Sequence, residues 1–250
     1  MSLENKIAIV TGGSRDIGRA VSETLAAEGA NVVVNYFNNA GEGEAAVAAI
    51  QQSGGKAIAV KGDMTKQADV DNLVAAARKA FGDTVDTLVN VVGGLVARKP
   101  LAEMDEEFFE YVMKLNVTST FLTTRSVVPH MGDGGSIVNF SSQAGRDGGG
   151  PGAIAYATSK GAVMTLTRGL AKELGPSNIR VNCVCPGIIS TTFHDTFTKD
   201  EVRANVAAGT PLRREGQAKE VADLVTYLAS PASSFITGAC VDINGGMFFS

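Results

Sequence analysis

The chain has 250 residues, 44% of them hydrophobic and 19% charged, with a formal net charge of −4. Its scattered lysines and arginines form no basic face of the kind nucleic acid requires, and no apolar run is long enough to span a bilayer. Two histidines without nearby ligands argue against a metal site, Cys183, Cys185 and Cys240 lack CxxC spacing and read as buried reduced thiols, and Met1-Ser-Leu-Glu-Asn-Lys6 lacks a secretory pattern, so a cytoplasmic protein is expected.

In chain order, 6–10 is a nearly all-apolar run, as suits a parallel strand buried on both faces. A helix is predicted over 17–29, with Val21, Leu25 and Ala26 on one side, and the next strand over 31–35. Helices then follow at 44–52 and 69–81, at 105 to about 131, and at 157–174 and 218–228, alternating with strands at 57–60, 87–92, 136–140, 180–185 and 240–243. Strict alternation implies right-handed crossovers. The expectation is one α/β domain over 1–250, a Rossmann-type doubly wound parallel sheet with helices on both faces.

Between the first strand and helix lies Thr11-Gly12-Gly13-Ser14-Arg15-Asp16-Ile17-Gly18. At that position free backbone N–H groups and the positive helix end face an anion, so the turn reads as a dinucleotide cradle. It resembles the cofactor turn of the short-chain dehydrogenase/reductase family, except that Asp16 stands where the family usually has glycine. A carboxylate there repels a pyrophosphate unless it turns away or caps the next helix, with Arg15 and Arg19 offsetting its charge. A cap is expected, and Asp16→Gly should then leave cofactor affinity unchanged or tighten it. The second strand ends in Asn35-Tyr36-Phe37-Asn38, with no carboxylate to hold a ribose 2′-hydroxyl. Arg15 either meets a 2′-phosphate or stays a solvated charge, and NADPH is favoured over NADH.

The same resemblance places Asp63 and Met64 beside the adenine ring, although Asp63 equally suits a strand-end turn. Asn90-Val91-Val92-Gly93 stands where the family has Asn-Asn-Ala-Gly, which puts Asn90, Val92 and Gly93 on the cofactor and leaves the packing around Val91 open.

Tyr156 and Lys160 are four residues apart and share a helical face. A phenol shuttles protons near neutrality only if its anion is stabilised, which a nearby ammonium does. Ser142, at the end of a strand, can hydrogen-bond an oxygen that gains charge. Asn116, inside the long helix, either anchors a water chain or satisfies a neighbour. Together they match the family's Asn, Ser, Tyr, Lys set. The resemblance implies that Tyr156 protonates the substrate oxygen, Ser142 positions it, Lys160 lowers the Tyr156 pKa and binds ribose, and Asn116 holds a relay water. Gly94, Gln143 and Phe193 join Ser142 on the substrate side, and the glycine-rich run 145–152 borders them.

Pro186, Gly187, Ile189 and Thr191 resemble the family's nicotinamide segment, followed by a substrate lid at about 188–215. In it Phe193 and Phe197 either wall the pocket or pack the lid. Residues 238–246 resemble the terminal strand that pairs subunits, so a homotetramer is expected. The reaction implied is NAD(P)H-dependent interconversion of a small-molecule carbonyl and an alcohol. The substrate expected is a 3-oxoacyl thioester, with a sugar or uronate-derived keto acid as the alternative, which Arg98, Lys99 and Arg146 could meet. The rival classes are a catalytically silent dinucleotide sensor and a sugar-nucleotide epimerase or dehydratase.

Overall fold

Valine and isoleucine crowd the strands because alternate side chains enter two separate cores. Ala8, Val10, Val32 and Val34 pack with Val21 and Leu25 on one face, while Ile9, Val33, Leu88 and Ile137 pack with Val70, Leu73 and Val74 on the other. The computed structural model describes residues 2–197 and 200–249, except the side chains of residues 193–195 and 200. The main strands are β1 (Ile7–Thr11), β2 (Asn31–Tyr36), β3 (Lys56–Lys61), β4 (Val85–Asn90), β5 (Met131–Phe140) and β6 (Arg180–Pro186). A short pair, β7 (Ile189–Ser190) and β8 (Gly216–Gln217), stands apart, and β9 (Cys240–Ile243) ends the series. The large sheet has seven parallel strands in the order β3-β2-β1-β4-β5-β6-β9. The doubly wound expectation is borne out. The order reverses between β1 and β4, so their carboxyl ends open a crevice where such sheets bind ligands.

The helices are α1 (Asp16–Ala27), α2 (Ala40–Gln52), α3 (Gln67–Phe81), α4 (Glu106–Met113), α5 (Ser119–Val127), α6 (Ala144–Asp147), α7 (Ile154–Leu174), α8 (Thr192–Phe197), α9 (Asp200–Gly209) and α10 (Ala218–Ala229). Helix α2 starts earlier than its apolar pattern because the Asn39 side chain accepts from Glu42 N. The single long helix expected over 105–131 is interrupted. Asp105 caps α4 by accepting from Phe108 N at 2.7 Å, a π-helical turn (Lys114–Thr118) separates α4 from α5, and β5 already begins at Met131. The lid, read without structure from the sequence, carries α8 and α9. Cys183 and Cys185 are buried on β6, whereas Cys240 is only half-buried on β9, in register with Cys183, and all three are free. Among the described residues no helix is long and apolar enough to cross a membrane.

Candidate active site

The turn after β1 has no room for side chains. A Cβ at Gly18 would lie 2.0 Å from Gly12 O, one at Gly13 would lie 2.9 Å from Val10 O, and Gly12 itself sits at φ +62°. Ser22 Oγ bonds Gly13 O and Gly18 O, both at 3.0 Å, which draws α1 against the turn. Arg15, at the N-cap, supplies no side-chain cap, so the first amides of α1 keep their capacity to bind an acceptor. Two expectations are corrected here. Asp16 does not cap α1: its carboxylate reaches across to accept from Thr192 N at 3.0 Å. Asn35 is buried and its side chain is spent inside the fold, accepting from Gly12 N at 3.0 Å and donating to Gly62 O at 3.1 Å and Val60 O at 3.3 Å. Those bonds shape the turn. Tyr36 is half-buried against Gly43, where a Cβ would lie 2.7 Å from its ring, while Phe37 and Arg15 are exposed.

Asp63 forms the turn after β3, accepting from Thr65 N at 3.0 Å and Thr65 Oγ1 at 2.7 Å. Burial pushes its carboxyl up, but those bonds and the Lys66 charge hold it below the usual range. Met64 as a whole is 2% exposed and its side chain belongs to the core, so that side chain is not free to meet an adenine ring, a further correction. Asn90 is likewise spent on structure: its Nδ2 donates to Asn139 Oδ1 at 2.9 Å, and its Oδ1 accepts from Thr123 Oγ1 at 2.6 Å. Asn139 in turn donates to Thr167 Oγ1 at 3.0 Å, so a buried polar chain runs from β4 through β5 to α7. Thr11 Oγ1 accepts from Val91 N at 3.1 Å and Val92 N at 3.3 Å, which settles the segment whose packing the two valines left open. Asn139 and Thr167 were missed in the sequence, and Thr11 was read only as part of the turn. Their only signal was a polar residue inside or beside an apolar run.

The catalytic candidates converge beside Gly93. A Cβ at that glycine would lie 2.4 Å from Asn116 Oδ1 and 2.9 Å from Lys160 Nζ. A bare backbone there leaves a shallow floor over both side chains. Asn116, buried in the π-helical turn, accepts from Gly94 N at 2.9 Å and donates to Gly94 O at 3.0 Å and Val112 O at 2.9 Å. Of the two sequence readings, its side chain serves a neighbour: it pins the loop after β4. Lys160 Nζ donates to Phe140 O at 2.9 Å and stands 5.7 Å from the centroid of the Tyr156 ring. Ser141, another residue not singled out in the sequence, holds the backbone here by bonding Lys160 O at 2.7 Å.

Burial pulls the Lys160 ammonium down to about 8, against the opposing influence of the Cys183 and Cys185 thiols. Burial raises the Tyr156 phenol above its usual value, and a hydrogen bond with Ser142 only partly offsets this. The lowering expected from Lys160 is not what the chain alone produces: the phenol stays above its usual value because burial outweighs the Ser142 hydrogen bond. The phenol is neutral at neutral pH, the form in which it can give up a proton.

The remaining positions make hydrogen bonds within the fold. Pro186 O accepts from Gln143 N at 2.9 Å, Gly187 N donates to Ile243 O at 3.0 Å, and a Cβ at Gly187 would lie 2.7 Å from that of Asn244. The Ile189 side chain is buried against the core, and Thr191 Oγ1 folds back on Ile189 O at 3.2 Å. The Gln143 side chain donates to Asp147 at 3.0 Å. Arg146, expected near the substrate, instead pairs with Asp242 at 2.9 Å, and Lys99 pairs with Asp105 at 3.5 Å. The side chain of Phe193 lies outside the described residues. That of Phe197 is half-buried.

The glycine-crowded turn, the uncapped start of α1 and the bare floor at Gly93 together fit an extended anionic cofactor with a flat ring at one end. Comparison with known proteins points the same way. The family described as "Enoyl-(Acyl carrier protein) reductase" matches residues 12–248. The chain is 37% identical to the 3-oxoacyl-[acyl-carrier-protein] reductase of Synechocystis, covering 98% of each chain. It is 36% identical to glucose 1-dehydrogenase 2 of Bacillus subtilis, covering 98% of this chain and 95% of that one. Among solved structures, the short-chain dehydrogenase/reductase of Serratia marcescens superimposes with a TM-score of 0.93 at 36% identity over 99% of both chains. A blue fluorescent protein from a metagenomic library, in complex with NADPH, gives 0.92 at 34% identity over 99% of both chains.

Proposed function

The chain belongs to the short-chain dehydrogenase/reductase family of NAD(P)-dependent oxidoreductases, and from that premise we propose that it reduces a small-molecule ketone to a secondary alcohol, with NADPH as the preferred hydride source. The observation that carries this reading is the Ser142–Tyr156 hydrogen bond, set beside Lys160 and the floor at Gly93. The nicotinamide supplies the hydride. Ser142 donates to the substrate oxygen and holds it while negative charge grows. Tyr156 delivers the proton, and its raised pKa keeps that proton in place until it is needed. Lys160, still an ammonium at neutral pH, provides positive charge near the phenolate left behind. The turn after β1 and the amides of α1 hold the pyrophosphate. The absence of a carboxylate at the end of β2, with Arg15 exposed nearby in the turn, supports NADPH over NADH.

A 3-oxoacyl thioester is the proposed substrate. Similarity to the Synechocystis reductase supports it. So does the engagement of Arg146 and Lys99 with Asp242 and Asp105, which leaves a charged keto acid fewer partners. The chain is further proposed to act in the cytoplasm, where its free thiols stay reduced, and to assemble as a homotetramer. The exposed Phe235 and Phe249, near the edge strand β9, support that assembly, and light scattering tests it. The test of the chemistry is Tyr156→Phe. Turnover of NADPH with a 3-oxoacyl thioester should fall by about 10²–10⁴-fold while NADPH binding, measured by titration calorimetry, persists. Retained turnover would overturn the assignment, and a panel including ketoses and keto acids would show whether another carbonyl is preferred.

A further inference from the structure

Asp16 is the residue that the cofactor-binding reading leaves without a task. It stands at φ +50°, in the left-handed region, which asparagine and aspartate tolerate better than most residues but which still carries strain. Both carboxylate oxygens are used by one residue 176 positions away. Oδ1 accepts from Thr192 N at 3.0 Å, and Oδ2 accepts from Thr192 Oγ1 at 2.5 Å. Arg15 Nη1 donates to the same hydroxyl at 3.3 Å and lies 3.8 Å from the carboxylate. Thr192 is the first residue of α8. The last residue of that helix is held as well: Arg98 Nε donates to Phe197 O at 3.3 Å, and Arg98 Nη1 reaches Pro151 O at 3.0 Å. One short lid helix is thus fastened at its start to the phosphate turn and at its end to the loops beside the substrate cleft.

We propose that Asp16 is a positioning residue that clasps the start of α8 onto the phosphate turn, so that the lid stays closed over bound dinucleotide and slows its departure. The proposal rests on the cofactor assignment above. Glycine at this position would relieve the backbone but offer Thr192 nothing. Aspartate accepts both an N–H and an O–H, charge-assisted bonds stronger than neutral ones. With its oxygens directed at Thr192 and Arg15 alongside, the carboxylate spends its charge on the lid instead of facing the phosphates. The earlier expectation for Asp16→Gly, unchanged or tighter cofactor binding, treated the carboxylate as a helix cap. The clasp reverses its sign.

The experiment compares wild type, Asp16→Gly and Asp16→Asn. Hydrogen–deuterium exchange on the chain without cofactor reads the Thr192 amide, and stopped-flow displacement reads NADPH release. Asp16→Gly should speed exchange at Thr192 and speed NADPH release by about tenfold, the worth of one or two such bonds. Asp16→Asn keeps an acceptor for Thr192 N and a left-handed backbone, so it should stay near wild type in both. Tighter binding and slower release in both variants would show that Asp16 acts only by repelling phosphate, and the clasp would be wrong. Faster exchange with unchanged release would also overturn it, because the contact would then not retain cofactor. If wild type binds no NADPH, the cofactor assignment itself fails and the clasp's function with it, while the exchange data still report the contact.

Discussion

Lys160 is a buried cation whose Nζ donates to a carbonyl at 2.9 Å, with no carboxylate partner among the described residues, and this makes its protonation a folding variable and, on the proposed mechanism, a catalytic one. Its folded pKa of about 8 lies below the ordinary value of 10.5. Between those two values the unfolded chain binds more protons than the folded one, so folding becomes more favourable as pH rises through that window. Below about 8 the full cost of burying the ammonium is present. Lys160→Met should therefore melt higher than wild type at pH 7, and the gap should shrink as pH is raised from 8 towards 10. A gap independent of pH would show that the ammonium is not desolvated. The same titration bounds catalysis, and kcat/KM for ketone reduction should decline as pH rises through about 8. The pairing of Tyr156 with Lys160 was legible because helix periodicity places i and i+4 on one face. Asp16 and Arg146 were misread because their partners lie 176 and 96 residues away, and no local pattern encodes those distances.

At the scale of elements, the interruption between α4 and α5 matters most. The π-helical turn Lys114–Thr118 carries Asn116, whose side chain makes three bonds, two of them to Gly94. Removing it strands a backbone N–H and a C=O on the loop that forms the floor of the site. Asn116→Ala should cost roughly 2–4 kcal/mol in stability, measured by urea denaturation, and should lower turnover because the Gly93–Gly94 backbone is no longer fixed. A loss below about 0.5 kcal/mol would mean that water replaces the side chain fully. Strands were read well because burial on both faces leaves an unbroken apolar run, as in Ile7–Val10 and Val32–Val34. The π-helical turn was invisible, since one shifted hydrogen bond leaves the residue pattern of a helix unchanged. Helices α8 and α9 were not anticipated either: they lie in a stretch with little apolar periodicity, and long-range contacts hold them, α8 through Asp16 and Arg98 and α9 through the Arg203–Glu215 pair.

At the scale of the whole molecule, the site is an edge-to-edge property of the sheet. The glycine-crowded turn and the floor at Gly93 follow β1 and β4, whereas Ser142 follows β5 and Tyr156 stands on α7. The outermost strand on that side, β9, is held by β6 and by Arg146, which bonds Asp242 at 2.9 Å and Cys240 O at 2.6 Å. The pair is mostly buried, with side chains 11% and 17% exposed. Burial lowers the Arg146 pKa, but the bond with Asp242 and the charges of Asp242, Cys185 and Cys240 together raise the guanidinium above its usual value. Arg146→Ala leaves a carboxylate with little solvent and no cation, a loss of about 3 kcal/mol or more. For a chain of this size that is a fall in Tm of roughly 6–12 °C. Arg146→Ala with Asp242→Ala should recover part of the loss, since the orphaned charge is gone. The KM for a neutral thioester should stay unchanged in both variants. A large rise in KM with an unaltered Tm would return Arg146 to the substrate, and would favour an acidic keto compound over the thioester.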